Sequence, residues 1–322
     1  MPAPSSPTAR ASRRSDNRPR PATPASPLRV WFNAVRPRSF TTSTVPIIAA
    51  TALGMVDGYV HVDLFVLMLL ASIFTHAACN LTNDYFDDRR GVDTHETLGQ
   101  GGALQRGELS HDQLRSGIAV CFGIAILCAV PIIAVVGPVI ILIGIASAAA
   151  AFFYTAGPFP LAYYALGEVT VFLAMGVGMV CGAYYVNTGS VSTAAWLLGI
   201  AIGLLAAAFL HANNIRDIET DRARNKRTLA NLLPRKAWMF EYIALVLLPY
   251  GLATAMFAVQ PELYPILIVW FAFPVSFKLI ERMALAKTRE HYNVLTRKTA
   301  GLHLRFSTLM SLGLAIAAVV AQ

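Results

Sequence analysis

Two runs of acidic and amide side chains carry the chemistry available to this chain, and each closes a long apolar stretch. The first extends from Asn80 to Asp93, after an apolar run that begins near Leu64. Carboxylates beside hydrocarbon are costly and are held there by partners or by function. On a helix Asn80, Asn83, Asp84 and Asp87 share one face, because steps of three and four residues return to the same side. Such a set offers hard oxygen donors, the kind Mg²⁺ takes together with substrate phosphates. The second run is Asn213 to Asp221, in which Asn214, Asp217 and Asp221 again fall on one helical face. Two oxygen clusters facing each other at a membrane surface suit two Mg²⁺ ions clamping a diphosphate. Arg90, Arg106, Arg216, Lys226 and Arg227 lie close by in sequence and are placed to neutralise the remaining phosphate charge. A lipid diphosphate fits this location, with its tail among helices and its head at the metals. Departure of diphosphate would leave an allylic carbocation. A cavity lined by aromatic rings and closed to water would protect that cation until an acceptor attacks.

Each of these residues also has a plainer reading. The clusters could be solvated helix ends, and Asp88, Glu96 and Glu219 read as solvated loop charges. Arg90 and Arg106 serve equally to enforce positive-inside orientation. His76 and His211 stand one turn before Asn80 and Asn214, yet a lone His in a helical bundle is more often a hydrogen-bonded packing residue. Among Tyr154, Tyr163 and Tyr164, Tyr154 is favoured as a cavity residue, and the other two read as interfacial aromatics. Glu168 either positions an acceptor or pairs with a basic residue. Gly178 and Gly182, four apart, predict a close helix contact.

The elements that must carry these side chains are membrane helices. Of the 322 residues 56% are hydrophobic and 14% charged, against about 25% charged in a soluble domain. Apolar segments near the ~20 residues a bilayer requires recur at roughly 41–57, 63–82, 114–135, 138–155, 166–186, 193–213, 237–259, 263–282 and 301–321. Residues 1–28, rich in Pro, Ser, Ala and Arg with Asp16 as the one acid, predict a disordered basic arm. No apolar stretch follows Arg13-Arg14 within reach, which argues against a signal peptide, and the many prolines argue against a transit helix. Cys79, Cys121, Cys128 and Cys181 all lie in apolar runs without a CxxC pair, so neither a zinc site nor a disulfide framework is indicated.

Loop charge orients these segments. All 26 Lys and Arg residues can be placed on one side, in the arm and near 83–113, 214–236 and 283–300. That side is cytoplasmic by the positive-inside rule, with the N-terminus inside and the C-terminus outside. The net charge of +8 thereby has a topological explanation, and no nucleic acid need be invoked. Both acidic clusters emerge on that same side at helix C-termini, where the macrodipole favours a cation.

At these residues the sequence resembles the UbiA superfamily of intramembrane prenyltransferases, and within it the 1,4-dihydroxy-2-naphthoate polyprenyltransferases. The likeness rests on Asn83-Asp84-Tyr85-Phe86-Asp87-Asp88-Arg89-Arg90-Gly91-Val92-Asp93 and on Asn213-Asn214-Ile215-Arg216-Asp217 through Asp221 and Lys226-Arg227-Thr228-Leu229. Arg36-Pro37-Arg38-Ser39-Phe40, Gly99-Gln100-Gly101-Gly102-Ala103 and Tyr154-Thr155-Ala156-Gly157-Pro158 extend it, from about Trp31 to the C-terminus. Gly91 with Asp93 points to the naphthoate branch, since ubiquinone-branch relatives usually carry Asp at the place of Gly91. Many of those relatives carry Lys at the place of Pro158, which leaves the diphosphate role here to Lys226 or an arginine.

Together these readings predict an all-α membrane protein. A bundle of nine transmembrane helices (residues 29–322) would enclose a central cavity under a cytoplasmic-side cap, in the cell membrane. In the implied reaction Asn83, Asp87 and Asp93 hold one Mg²⁺ while Asn214, Asp217 and Asp221 hold the other. Asp84 ligates or orients a ligand, and Lys226, Arg227, Arg106 and Arg90 bind diphosphate. The substrates implied are a polyprenyl diphosphate and an aromatic acceptor. Competing readings are a related enzyme for 4-hydroxybenzoate, homogentisate or a glycerol-phosphate lipid, and a transporter using the acids as an ion path. Transporter sites usually lie at the midplane, which weighs against the last.

Overall fold

A computed structural model describes residues 26–91 and 102–321. Among them every regular element is helical, and the one β-type contact is an isolated parallel bridge between Tyr164 and Arg227. In chain order the helices are α1 (Pro27–Val35), α2 (Thr41–Val56), α3 (Val62–Arg89), α4 (His111–Val136) and α5 (Val139–Phe153). There follow α6 (Gly167–Thr188), α7 (Thr193–Arg216), α8 (Ile218–Ala223) and α9 (Leu229–Leu232). The last three are α10 (Arg235–Val259), α11 (Pro261–Leu285) and α12 (Arg289–Val320).

Among the described residues seven helices are long and apolar enough to cross a membrane, or eight if α1 and α2, bent by 52° at their junction, form one span. The chain is therefore a multi-pass membrane protein. Of the nine apolar segments expected, those at α2 and α5 are the short ones, at 16 and 15 residues. At 1.5 Å per residue each is about 22–24 Å long, less than the ~30 Å of hydrocarbon. By contrast α3, with 28 residues, measures about 42 Å, more than the hydrocarbon thickness, and its last turns are the polar ones. Those turns carry Asn83 to Asp88.

Local chemistry sets the breaks. Ser110 and Gln113 form a reciprocal capping box that starts α4. Gly137, at φ 104°, turns the chain from α4 into α5, a conformation that a Cβ would strain. Inside α6 the residues Phe172–Gly178 form a π-helical turn.

At the centre stands α7, whose Leu198, Ala201, Ile202, Leu205 and Ala208 are fully buried. It packs against α6, α10 and α12. Where α6 meets α7, a Cβ on Gly176 would lie 2.2 Å from the Cα of Gly203, so the backbones touch. The close contact thus falls at Gly176 and Gly203. Gly178 faces Leu173 O of its own helix, and Gly182 meets only the side chain of Ile143. The π turn accounts for the difference: its wider loop rotates the face that a regular helix would have presented.

Candidate functional site

The final turns of α3 distribute their polar side chains among several neighbours. Asn80 is buried and donates to Val35 O (2.8 Å) and Ser39 Oγ (3.1 Å), so it joins α3 to the α1–α2 corner. Asp84, only 1% exposed, pairs with Arg36. Arg36 takes left-handed backbone at φ 55°, which ends α1 and directs its side chain at α3. Asn83 accepts a hydrogen bond from Thr155 Oγ1. Asp87 accepts one from Tyr163 Oη at 2.7 Å. Asp88 turns away, accepting from Gln105 (3.0 Å) and His111 (2.8 Å). The shared face predicted for this cluster therefore serves two purposes. Asn80 and Asp84 hold α1, and Asn83 and Asp87 meet the loop after α5.

The second cluster lies where α7 gives way to α8. Asp217 is bonded by Arg216 Nε (3.0 and 3.1 Å) and by Arg289 Nη2 (3.2 Å). Burial works against its charge, but these two guanidinium groups outweigh burial and hold its carboxyl below the usual range. One turn on, Asp221 is 4% exposed and pairs with Lys226 Nζ at 3.4 Å. Here burial prevails over Lys226 and pushes the carboxyl up. Asn214 is buried and donates to Glu168 Oε1 at 2.9 Å.

Tyr163 joins the clusters. Its hydroxyl donates to Asp87, while Arg90 and Lys226 stand 5.1 and 5.8 Å from its ring centroid. Burial and the Asp87 carboxylate raise its ionisation far above the ordinary phenol range, so the hydroxyl remains a donor. Backbone bonds lock the loops together: Ala165 N donates to Arg227 O (2.9 Å) and Arg227 N to Tyr163 O (3.2 Å). Arg90 donates to the carbonyls of Thr155 and Gly157. Between these pieces lies a cavity of about 730 Å³ lined in part by Arg90, Tyr163, Arg222, Lys226 and Arg227. Its charged lining is basic throughout, as an anion such as diphosphate requires.

Oxygen donors fit a hard cation here. Among the described residues the buried Oδ2 atoms of Asp84 and Asp221 have no hydrogen-bond partner, a costly state unless something positive meets them. Of the other expected site residues, Arg106 pairs with Glu108 at 2.9 Å. Tyr154 is half-buried within electrostatic reach of Glu168, Asp87 and Asp221. Asp93 lies outside the described residues.

A family model described as the UbiA prenyltransferase family matches residues 43–296. The chain belongs to the UbiA prenyltransferase family. This prenyltransferase is 32% identical over 298 residues to 1,4-dihydroxy-2-naphthoate octaprenyltransferase of Bacillus subtilis, covering 89% of this chain and 92% of that one. It is also 32% identical to the Haemophilus influenzae protein of the same name, over 71% and 79% of the two chains. Its fold is similar to that of a UbiA homolog from Archaeoglobus fulgidus solved with GPP and Mg²⁺. The TM-score is 0.62 at 17% identity, over 88% and 99% of the chains.

Several residues around the candidate site carry little local signal in the sequence. Tyr163 was set aside as interfacial, and Arg36, Thr155 and Arg289 were assigned no partner. The signal for Tyr163 was its place in the same loop as Tyr154, nine residues on. Nothing local to Arg36 or Arg289 announces a carboxylate, since each reaches across the fold.

Proposed function

We propose that this prenyltransferase transfers a polyprenyl group from a polyprenyl diphosphate to 1,4-dihydroxy-2-naphthoate, with Mg²⁺, yielding the demethylmenaquinone skeleton. The observation that carries the donor half is the basic cavity joined through Tyr163 and Lys226 to both oxygen clusters. The acceptor is supported by the activity named for the B. subtilis relative, matched along nearly its whole length.

In this reading Asn83, Asp87 and Asp93 hold one Mg²⁺ and Asn214, Asp217 and Asp221 the other, with Asp84 orienting the first set. Bound there, the cations supply positive charge to the diphosphate oxygens and so ease its departure. Lys226, Arg227, Arg90 and Arg106 bind the same oxygens. Tyr163 keeps Asp87 in place by its hydrogen bond. Tyr154 lines the side of the cavity toward the acceptor. The C1–O bond of the prenyl diphosphate breaks and diphosphate leaves, the ring carbon that bears the carboxylate forms a bond to C1, and that carboxylate leaves as CO₂ with its bonding pair returned to the ring. Nine segments cross the cell membrane in this reading, α2 and α5 as the two short ones. The loops that carry the clusters form the cytoplasmic cap, the N-terminal arm lies inside, and the C-terminus lies outside.

Purified protein incubated with Mg²⁺, geranylgeranyl diphosphate and a panel of aromatic acceptors tests the proposal. Product from dihydroxynaphthoate, lost in Asp87→Ala and in Asp217→Ala protein that still inserts and folds, is expected. Product only from 4-hydroxybenzoate or homogentisate would overturn the acceptor. Near-normal turnover in either variant would overturn the metal assignment.

A further inference from the structure

Beside the second cluster, and outside the lining of the basic cavity, three helices bring together Glu168 of α6, His211 of α7 and Glu241 of α10. His211 is fully buried. Its Nε2 lies 3.0 Å from Trp238 O, a carbonyl that can only accept, so Nε2 carries a proton and donates. Its Nδ1 faces Glu168 Oε1 at 3.2 Å and Glu241 Oε1 at 3.7 Å, and against two ionised carboxylates this nitrogen must carry a proton as well, so the ring is an imidazolium paired with Glu168. Glu168 Oε1 also receives Asn214 Nδ2 at 2.9 Å. A carboxylate only accepts, so the Asn214 amide must present its nitrogen to Glu168. Its oxygen is thereby kept for another partner. A free asparagine amide has no such preference and turns over readily.

The geometry points to Glu168 as a positioning residue that, braced by His211, commits the amide oxygen of Asn214 to the second cation. The inference rests on the metal reading above, since it needs Asn214 to be a ligand. It explains why a carboxylate stands in the membrane bundle, where an isolated one is expensive. It also explains a fully buried histidine that touches neither cluster. The arrangement is an outer shell: a backbone carbonyl orients an imidazole, the imidazole orients a carboxylate, and the carboxylate orients a ligand.

Mn²⁺ serves as a spin-active probe, titrated by EPR into the purified full-length protein with inorganic diphosphate. Asn214→Ala is expected to weaken binding by ~10–100-fold, and Glu168→Met, which keeps bulk and removes the acceptor, by a comparable factor. Added to Asn214→Ala, the Glu168→Met change should cost nothing further, because its effect runs through the missing amide. Wild-type Mn²⁺ affinity in Glu168→Met, beside a weakened Asn214→Ala, would overturn the positioning role and leave the metal reading intact. Full additivity in the double variant would do the same. Wild-type affinity in Asn214→Ala would overturn both. Should Glu168→Met fail to insert, the exchange of Asn214→Asp with Glu168→Gln keeps one donor and one acceptor across the same bond. That pair should recover the affinity that Asn214→Asp alone loses, and absence of recovery would overturn the proposal. The ligand atoms of Glu168, His211 and Glu241 also lie within 4.8 Å of one another. That spacing could also hold a metal ion; the positioning role needs these side chains bonded to one another instead, so elemental analysis should find no zinc, and stoichiometric zinc abolished by His211→Ala would overturn that role.

Discussion

Tyr163 is the residue on which the two halves of the site depend, although its aromatic ring gave no hint of it. One hydroxyl fixes Asp87 while Arg90 and Lys226 both stand over the ring. Tyr163→Phe keeps the ring and removes only the 2.7 Å bond. A hydrogen bond to a charged group is worth about 1.5–3 kcal/mol, so kcat/KM should fall by ~10–100-fold. Assays at saturating Mg²⁺ check this, and a loss below about twofold would show that Asp87 is held by other means. Arg36 makes a different case. Asp84 is almost wholly enclosed, so Arg36→Met strands a buried carboxylate. The expected cost is about 3–5 kcal/mol, read as a lowered unfolding midpoint, and Asp84→Ala added to Arg36→Met should recover part of it.

At the scale of elements, the site depends on helices meeting at fixed heights. Glu168 stands at the start of α6, and Asn214 near the end of α7, so the contact between these helices sets the distance between them. That contact is backbone on backbone at Gly176 and Gly203. Gly176→Ala inserts a methyl where 2.2 Å is available, and the obstructing atom is a Cα that cannot turn aside. Overpacking of this kind costs about 1–3 kcal/mol. The unfolding midpoint of purified protein should drop, and activity should fall with it as Asn214 is displaced. Gly251→Ala serves as the control, since nothing lies within 4 Å of its added carbon. Equal midpoints for the two variants would mean that α6 and α7 separate at no cost.

For the molecule as a whole, oxygen clusters, basic cavity and apolar helices imply one dependence and one orientation. Chelation by EDTA should abolish prenyl transfer, and Mg²⁺ should restore it without refolding, because the bundle is built on packing among apolar helices. Residual transfer after thorough chelation would remove the cations from the reaction. The orientation follows from where the Lys and Arg residues lie, and reporter fusions at the two termini check it. Activity of a cytoplasmic reporter at the N-terminus and of an external reporter at the C-terminus is expected. Both reporters active on one side would remove one crossing, and α2 and α5, the shortest apolar helices, are where it would be lost.

What the sequence determined by itself was whatever rests on near neighbours. Apolar runs, capping residues and a period of 3.6 are local, so the membrane helices and the two oxygen clusters at their ends could be read directly, and with them the family. Which distant group each member of the clusters meets was decided only by the tertiary structure. Asp84 meets Arg36 across 48 residues, Asp87 meets Tyr163 across 76, and Asn214 meets Glu168 across 46. A carboxylate's helical face says where it points, and its partner depends on which distant helix the packing brings there. The same holds for Gly176, whose role was displaced from Gly178 and Gly182 by a π turn that no spacing rule foresees. Spacing encodes direction along one helix, whereas partners are set by the folding of the whole bundle.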